Sequence, residues 1–404
     1  MKPVLFCDDP PFWAETQRAL GHAAYGGADT GEVLVTAQRI TAGDYDSWHD
    51  EWLALADRIA GEAESAIKAG HPISGRDGML RASNYYRAAE FFLPSGGDPD
   101  DPRIKRSYER SVACFREAAA RLTPPAQPVL IPFEGGVLHG YFYNAGPGTR
   151  PAVMMHNGFD GPAEELHFFG AAAAAERGYH VLTFDGPGQP AARHGAGLVF
   201  RPDWENVVAP VLDWVLTRPG VDPAKVSLLG ISMGGLLAAR AAAFEHRLAA
   251  CMAVDGLYDL GVIAATGLPG SREQAERLLR ADSAPETDAA MAAQMAANPT
   301  VRWAITQGMS VMGASTPRQF AASYLDYTLA GGIAEKIRCP TLICAAEEDI
   351  VFRGQPEAVY SHLTCPQTLM RFTSAEGAGA PCHSDALRLA FGRVYDWLDD
   401  TVGT

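Results

Sequence analysis

The sequence lacks what would mark it for a membrane, a nucleic acid or a metal. No apolar run reaches the ~20 residues needed to span a bilayer. The opening MKPVLFCDDPPFW interrupts its short apolar stretch with Asp8, Asp9 and two prolines, so it has no secretory-signal core. Basic residues are the minority: 33 Lys and Arg against 48 Asp and Glu leave a net charge of −15, and the cations are scattered rather than striped. Neither nucleic acid nor an anionic membrane is therefore an expected partner. The seven cysteines (Cys7, Cys114, Cys251, Cys339, Cys344, Cys365, Cys382) are odd in number and show no C-x-x-C spacing. This argues against a disulfide framework and a zinc site, and no metal or cofactor is expected. The run Phe184-Asp-Gly-Pro-Gly-Gln189 is rich in glycine but has neither the Lys-Ser/Thr of a phosphate loop nor full G-x-G-x-x-G spacing, so it reads as a structural turn. The expectation is a soluble, cytoplasmic protein whose partner is a small molecule.

What is present suffices for a large core: 404 residues, 47% of them hydrophobic. Residues 1–125 carry helical periodicity and end in the proline-rich TPPAQP. Tyr45 to Lys68 puts Trp48, Trp52, Leu55 and Ile59 on one face; Leu80 to Leu93 and about Arg103 to Leu122 predict two more helices. From residue 126 the period changes. Val129 onward reads as a hairpin, and strand-like runs at Ala152–His156, Tyr179–Phe184, Val226–Leu229, Ala249–Val254, Pro340–Ala346 and Gln367–Phe372 alternate with helices. Most are continuously apolar, which predicts a parallel sheet covered on both faces. Between about 260 and 330 the strand signal gives way to Ala- and Met-rich helical sequence, read as a cap inserted over the sheet's carboxyl edge.

The chain's chemistry centres on Gly230-Ile-Ser-Met-Gly234, preceded by the strand VSLL and followed by an Ala/Leu helix. Strand, sharp turn and helix around G-x-S-x-G is the context in which a serine projects as a nucleophile. Ser232 is the candidate, with the Met233 N–H at the helix start aimed at a developing oxyanion. A serine nucleophile needs a base and an orienting acid, in the chain order Ser, acid, His. Asp349 follows the strand PTLICAA, and His383 lies in a glycine-rich loop after QTLMRF. Glu347, Glu348 and Asp255 compete with Asp349 for the acid. The second oxyanion donor is sought in His156-Asn-Gly-Phe-Asp-Gly161, where Phe159 is the candidate.

Several segments together resemble a known group: SNYYRAAEFFL (83–93), NGFDG (157–161) with Glu164 and Glu165 beyond it, FDGPGQ (184–189), RPDWE (201–205), GISMGG (230–235) and RCPTLIC (338–344) leading to Asp349. The chain is similar in these to the α/β-hydrolases related to 2,6-dihydroxypseudooxynicotine hydrolase and to the fungal polyketide-shortening hydrolases of pigment biosynthesis. The resemblance implies the α/β-hydrolase fold, mostly parallel and doubly wound, with a helical N-terminal domain and a helical cap. It implies hydrolysis of a C–C bond beside a ketone, or of an ester, in an aromatic or polyketide-like molecule of secondary metabolism. Carried over by position, Ser232, Asp349 and His383 are the triad and Phe159 and Met233 the oxyanion donors. Here the chain reads Pro190 after FDGPGQ and GAPCHSD around the histidine, two departures from the usual pattern.

A substrate chamber is expected between sheet, cap and N-terminal helices. Tyr85, Tyr86, Phe91, Phe92 and Trp303 are candidates to line it, although aromatics at helical spacing ordinarily belong to a core. Asp255 or Asp259 is a candidate to assist protonation of a carbon leaving group. The N-terminal helices are a candidate homodimer surface. Rival readings are an acyltransferase or cyclase using the same acyl-serine, an ester or peptide hydrolase, and a non-catalytic binding protein on the same fold.

Overall fold

The computed structural model describes residues 4–6, 8–96, 98, 101–349 and 351–403. Its centre is one eight-stranded sheet: β1 (Ala126–Phe133), β2 (Gly136–Tyr143), β3 (Arg150–His156), β4 (His180–Asp185), β5 (Val221–Ile231), β6 (Ala250–Val254), β7 (Thr341–Ala346) and β8 (Gln367–Phe372). The spatial order is β1-β2-β4-β3-β5-β6-β7-β8. β1, β2 and β4 pair antiparallel; every pairing from β4 to β8 is parallel. β3, β4 and β6 are almost wholly buried because helices cover both faces, which is why their sequences read as unbroken apolar runs.

Alternate residues feed different cores, as the two-residue period of a strand requires. Val153, Met155, Leu229, Ile231, Met252 and Val254 join one apolar cluster, which also holds Trp48, Trp52, Tyr85 and the C-terminal helix Leu387–Val402. Met154, Leu228, Cys251 and Ala253 join the other, with the helices Glu205–Leu216 and Met233–Phe244. The N-terminal helices, between Pro10 and Ala119, thus share a continuous core with one sheet face.

The helix Tyr45–Lys68 starts where Asp44 accepts the Ser47 N–H at 3.0 Å and ends on Lys68, favourable at a carboxyl terminus. After β6 the chain makes an excursion of five helices: Gly261–Ala265, Arg272–Arg280, Pro285–Ala297, Pro299–Met312 and Pro317–Tyr324. The two ends of this excursion are tied together: the Leu260 N–H donates to Tyr327 O at 3.0 Å and the Leu329 N–H to Tyr258 O at 2.7 Å. Among the described residues, no helix is long and apolar enough to cross a membrane.

Candidate active site

β5 ends at Ile231 and the helix Met233–Phe244 begins two residues on, so Ser232 alone turns the chain. It does so at φ 58° and ψ −129°, backbone that a residue with a side chain adopts at a cost of about 1–3 kcal/mol. The turn is held by the Ser232 N–H donating to Val254 O at 2.8 Å and by Ser232 O accepting the Gly235 N–H at 2.7 Å. Gly230 is demanded by the same geometry, since a Cβ there would lie 1.9 Å from the Gly234 carbonyl oxygen. Ser232 is left partly exposed at the amino end of a 12-residue helix. Met233, the first helical residue, has an N–H with no intrahelical acceptor.

The loop after β3 packs against this elbow. A Cβ on Gly158 would stand 2.8 Å from Met233 N and 2.9 Å from Gly234 N, so only glycine permits the approach, and Phe159 follows it directly. The loop is fixed from behind by residues of two other motifs. Gln189 accepts the Gly186 N–H at 2.7 Å and donates its amide to the Asn157 carbonyl. The Trp204 indole N–H donates to His156 Nε2 at 3.2 Å. Burial lowers His156 to about 4, leaving a neutral ring able to accept that bond.

The N-terminal helices hold the same loop through buried charges. Arg18 donates to both oxygens of Glu165, at 2.8 and 2.6 Å, and to Asp160 at 3.0 Å. Arg87 lies 2.6 Å from Glu15 and 3.2 Å from Glu165. Burial by itself would raise Glu165; Arg18 and Arg87 more than reverse this and bring it down to about 2. Burial pushes His22 down to about 3, so it stays neutral, with Nδ1 2.8 Å from Asn84 Oδ1. Sequence reasoning missed Arg18, Glu15 and His22. The available signal was Arg87 within SNYYRAAEFFL and the Glu164-Glu165 pair, charges embedded in segments that are otherwise apolar.

β6, β7 and β8 deliver Asp255, Asp349 and His383 to the carboxyl edge at which β5 presents Ser232. His383 is fully buried, with φ 55° and its ring 3.9 Å from that of Phe372. Its Nδ1 lies 3.3 Å from Ala378 O. A carbonyl only accepts, so the proton sits on Nδ1 and the lone pair on Nε2, which has no protein partner among the described residues. Burial lowers the imidazole to about 4. Asp349 Oδ1 accepts the Val351 and Phe352 N–H groups, each at 2.9 Å. Asp255, at φ 61°, accepts the Cys382 N–H at 2.5 Å, and its other oxygen has no partner among the described residues. Burial and then the charge of Asp349 push Asp255 up to about 7. The two aspartates are thus brought together and Asp255 is joined to the histidine loop, but no hydrogen bond among the described residues joins His383 to either acid. Glu347 and Glu348 are engaged with Ser374 instead.

The remaining candidates separate cleanly. Tyr85 and Tyr86 belong to the helical core rather than to the chamber: both are fully buried, Tyr85 OH donating to Glu32 at 2.7 Å and Tyr86 OH to Asp57 at 2.5 Å. Asp259 pins the start of the helical excursion, 2.7 Å from Arg272 and accepting the Gly261 N–H at 2.8 Å. Trp303 does line a cavity. It stacks on Phe91 at 4.8 Å and donates its indole N–H to Phe91 O at 3.0 Å. The cavity, about 200 Å³, lies between Glu90 and Phe91 of the N-terminal helices, Phe159, His194, and Trp303 and Gln307 of the Pro299–Met312 helix. Among the described residues, no group of three or more His, Cys, Asp or Glu side chains is placed to hold a metal ion.

Comparison with known proteins agrees with this architecture. The sequence pattern described as "Alpha/beta hydrolase family" matches residues 137–390. Hydrolase LUC6 of a Fusarium species is 35% identical over 405 residues, covering 96% of each chain. The 20-hydroxy-prefusarin hydrolase FUS2 of Gibberella moniliformis is 33% identical over 410 residues, covering 96% of this chain and 95% of its own. The crystal structure of 2,6-dihydroxy-pseudo-oxynicotine hydrolase superposes with a TM-score of 0.71 at 23% identity, covering 95% of both chains. With the fold, the strained serine elbow and full-length relatives in agreement, the chain belongs to the α/β hydrolase family.

Proposed function

We propose that this protein is a serine hydrolase that cleaves a C–C bond beside a ketone, or an ester, in a small aromatic or polyketide-like substrate through an acyl-enzyme. The observation that carries this reading is the elbow: Ser232 at φ 58°, faced by a loop in which Gly158 comes so close that a Cβ there would stand 2.8 Å from Met233 N. That arrangement strains a serine backbone in order to present its hydroxyl beside free amide groups. The relatives support it, one being named for the hydrolysis of a prefusarin and the solved neighbour for that of a pseudo-oxynicotine.

In this mechanism Ser232 Oγ adds to the substrate carbonyl as His383 Nε2 takes its proton. Asp349 is assigned to orient the imidazole and to stabilise its cation, after a turn of the side chains away from the Ala378 carbonyl and the Val351 and Phe352 amides. The Met233 and Phe159 N–H groups receive the oxyanion. Collapse of the tetrahedral adduct breaks the bond to the leaving group. An ester releases an alkoxide, which takes the proton from His383. A β-diketone releases an enolate, whose carbon takes a proton either from His383 directly or from Asp255, whose carboxyl burial raises above the usual range and which then regains its proton from His383, leaving the imidazole neutral again. Water, activated by His383, then frees the acyl group.

Intact-protein mass spectrometry tests the reading. Wild type and Ser232→Ala are exposed to aryl esters and aryl β-diketones. Acylation of wild type alone, with acid and ketone released from the diketones, is the expected result. An acyl adduct that persists until an alcohol or amine is added reassigns the protein as an acyltransferase, and absence of both adduct and Ser232-dependent products removes the catalytic reading.

A further inference from the structure

The cavity beside Phe159 contains one group that the mechanism above does not use. Glu90 is the last residue of the helix Pro72–Glu90 and forms part of the cavity wall. Its Oε2 is out of contact with solvent and has no hydrogen-bond partner among the described residues. The other charged groups nearby are committed. Arg87, one turn back, is paired with Glu15 and Glu165, and Asp160 is held by Arg18. Arg193 donates to Ser310 O at 3.0 Å, and His194 is packed on Tyr108 at 4.8 Å. A buried polar atom left without a partner costs stability, which a protein retains where a ligand satisfies it.

We propose that Glu90 is a specificity-determining residue that hydrogen-bonds a hydroxyl or carbonyl oxygen on the part of the substrate remote from the bond being cleaved. The inference rests on the hydrolase reading and names the substrate feature which that site selects.

Burial, reinforced by Glu164 and Glu165 and opposed by Arg87, raises the Glu90 carboxyl to about 8. At neutral pH it therefore carries a proton, offering one O–H donor and an acceptor oxygen to a neutral polar group. Around the carboxyl the walls are aromatic, with Phe91, Phe159 and Trp303, so the selected oxygen is one borne by a flat, largely apolar body. A hydroxylated aromatic ketone has that form.

The test needs no turnover. Binding of para-hydroxybenzoylacetone and of benzoylacetone, which lacks the hydroxyl, is measured by calorimetry in Ser232→Ala, with Glu90 intact or replaced by Gln or Leu. Each variant is first shown to melt as cooperatively as its parent. With Glu90 present, the hydroxylated compound binds roughly tenfold more tightly; Glu90→Leu erases the difference and Glu90→Gln retains most of it. Equal affinities with Glu90 intact, or a preference that survives in the Leu protein, overturn the proposal. Labelling of Ser232 in wild type by a phosphonate decides the hydrolase reading separately.

Discussion

Arg18 grips both carboxylate oxygens of Glu165, at 2.8 and 2.6 Å, across 147 positions of sequence. The same guanidinium reaches Asp160, the residue after Phe159, so the first helix holds the loop assigned to the oxyanion. Removing Arg18 strips Glu165 of its principal partner while leaving it buried, a change that costs about 3–5 kcal/mol. Arg18→Ala should lower the urea midpoint accordingly and reduce kcat. The double variant Arg18→Ala/Glu165→Leu should recover part of the stability, because the stranded carboxylate is gone, without recovering kcat. Denaturation curves and ester kinetics on the three proteins check both halves, and a fully additive double variant would show that the pair is not coupled.

Legibility of the sequence followed how locally each feature is determined. The helix Tyr45–Lys68 shows at both ends because its apolar face and its charged termini are all nearby in sequence. The helix after it begins at Pro72, eight residues before the expected Leu80; the poor helix propensity of PISGRDG hid its first two turns. Packing explains its two glycines: a Cβ on Gly75 would meet Ile67 Cγ1 at 2.3 Å and one on Gly78 would meet Ala63 Cβ at 2.8 Å, so glycine is selected by a neighbouring helix rather than by its own. At the site, the elbow was legible from five residues. The ring of Arg18, Glu15, Arg87 and Glu165 was not, since buried charges look like surface charges until the fold brings opposite signs together. Tyr85 and Tyr86 were ambiguous for the converse reason: periodicity identifies a buried face without saying whether protein or substrate covers it.

Gly158→Ala tests whether the loop after β3 forms the oxyanion wall. The added methyl has backbone on three sides, Ile231 O and Met233 N at 2.8 Å and Gly234 N at 2.9 Å, so the loop must move away from the elbow. Loss of a single oxyanion donor costs on the order of 10²–10³ in kcat. The expected outcome is a fall of that size with KM little changed and with phosphonate labelling of Ser232 slowed but not abolished. Undiminished kcat would remove Phe159 from the donor role.

The buried state of His383 sets the acid side of the pH profile. A base works only while unprotonated, and burial has moved this imidazole down to about 4. kcat/KM, which reports the free enzyme, should therefore decline as pH falls toward about 4, rather than near the ordinary histidine value of about 6.5. The stability contribution has the same sign. Between about 6.5 and about 4 the unfolded chain takes up a proton that the folded chain refuses, so this group favours folding less as pH falls through that window. An acid limb near 6.5 in the pH profile would mean that the imidazolium is already stabilised in the free enzyme, by solvent or by Asp349 turned toward it, contrary to the arrangement in which burial alone acts on the ring.

In the proposed mechanism the two aspartates divide the remaining chemistry, and their variants distinguish the roles. Asp349 lies after β7, where an orienting acid belongs; losing that function costs on the order of 10⁴ in kcat, for esters and diketones alike. Asp255 lies after β6 and is held near 7 by burial and by Asp349, so its population of protonated acid disappears as pH rises through that value. Only C–C cleavage requires a proton at carbon, because an alkoxide leaving group is served by His383. Asp255→Asn should therefore depress diketone cleavage more than ester hydrolysis and should remove a basic limb near pH 7 that appears only with the diketone. Product assays on both substrates across pH decide the matter. If Asp255→Asn abolishes both reactions while Asp349→Asn is mild, the orienting acid is Asp255, and the Nδ1–H of His383 must turn from the Ala378 carbonyl toward β6 rather than β7.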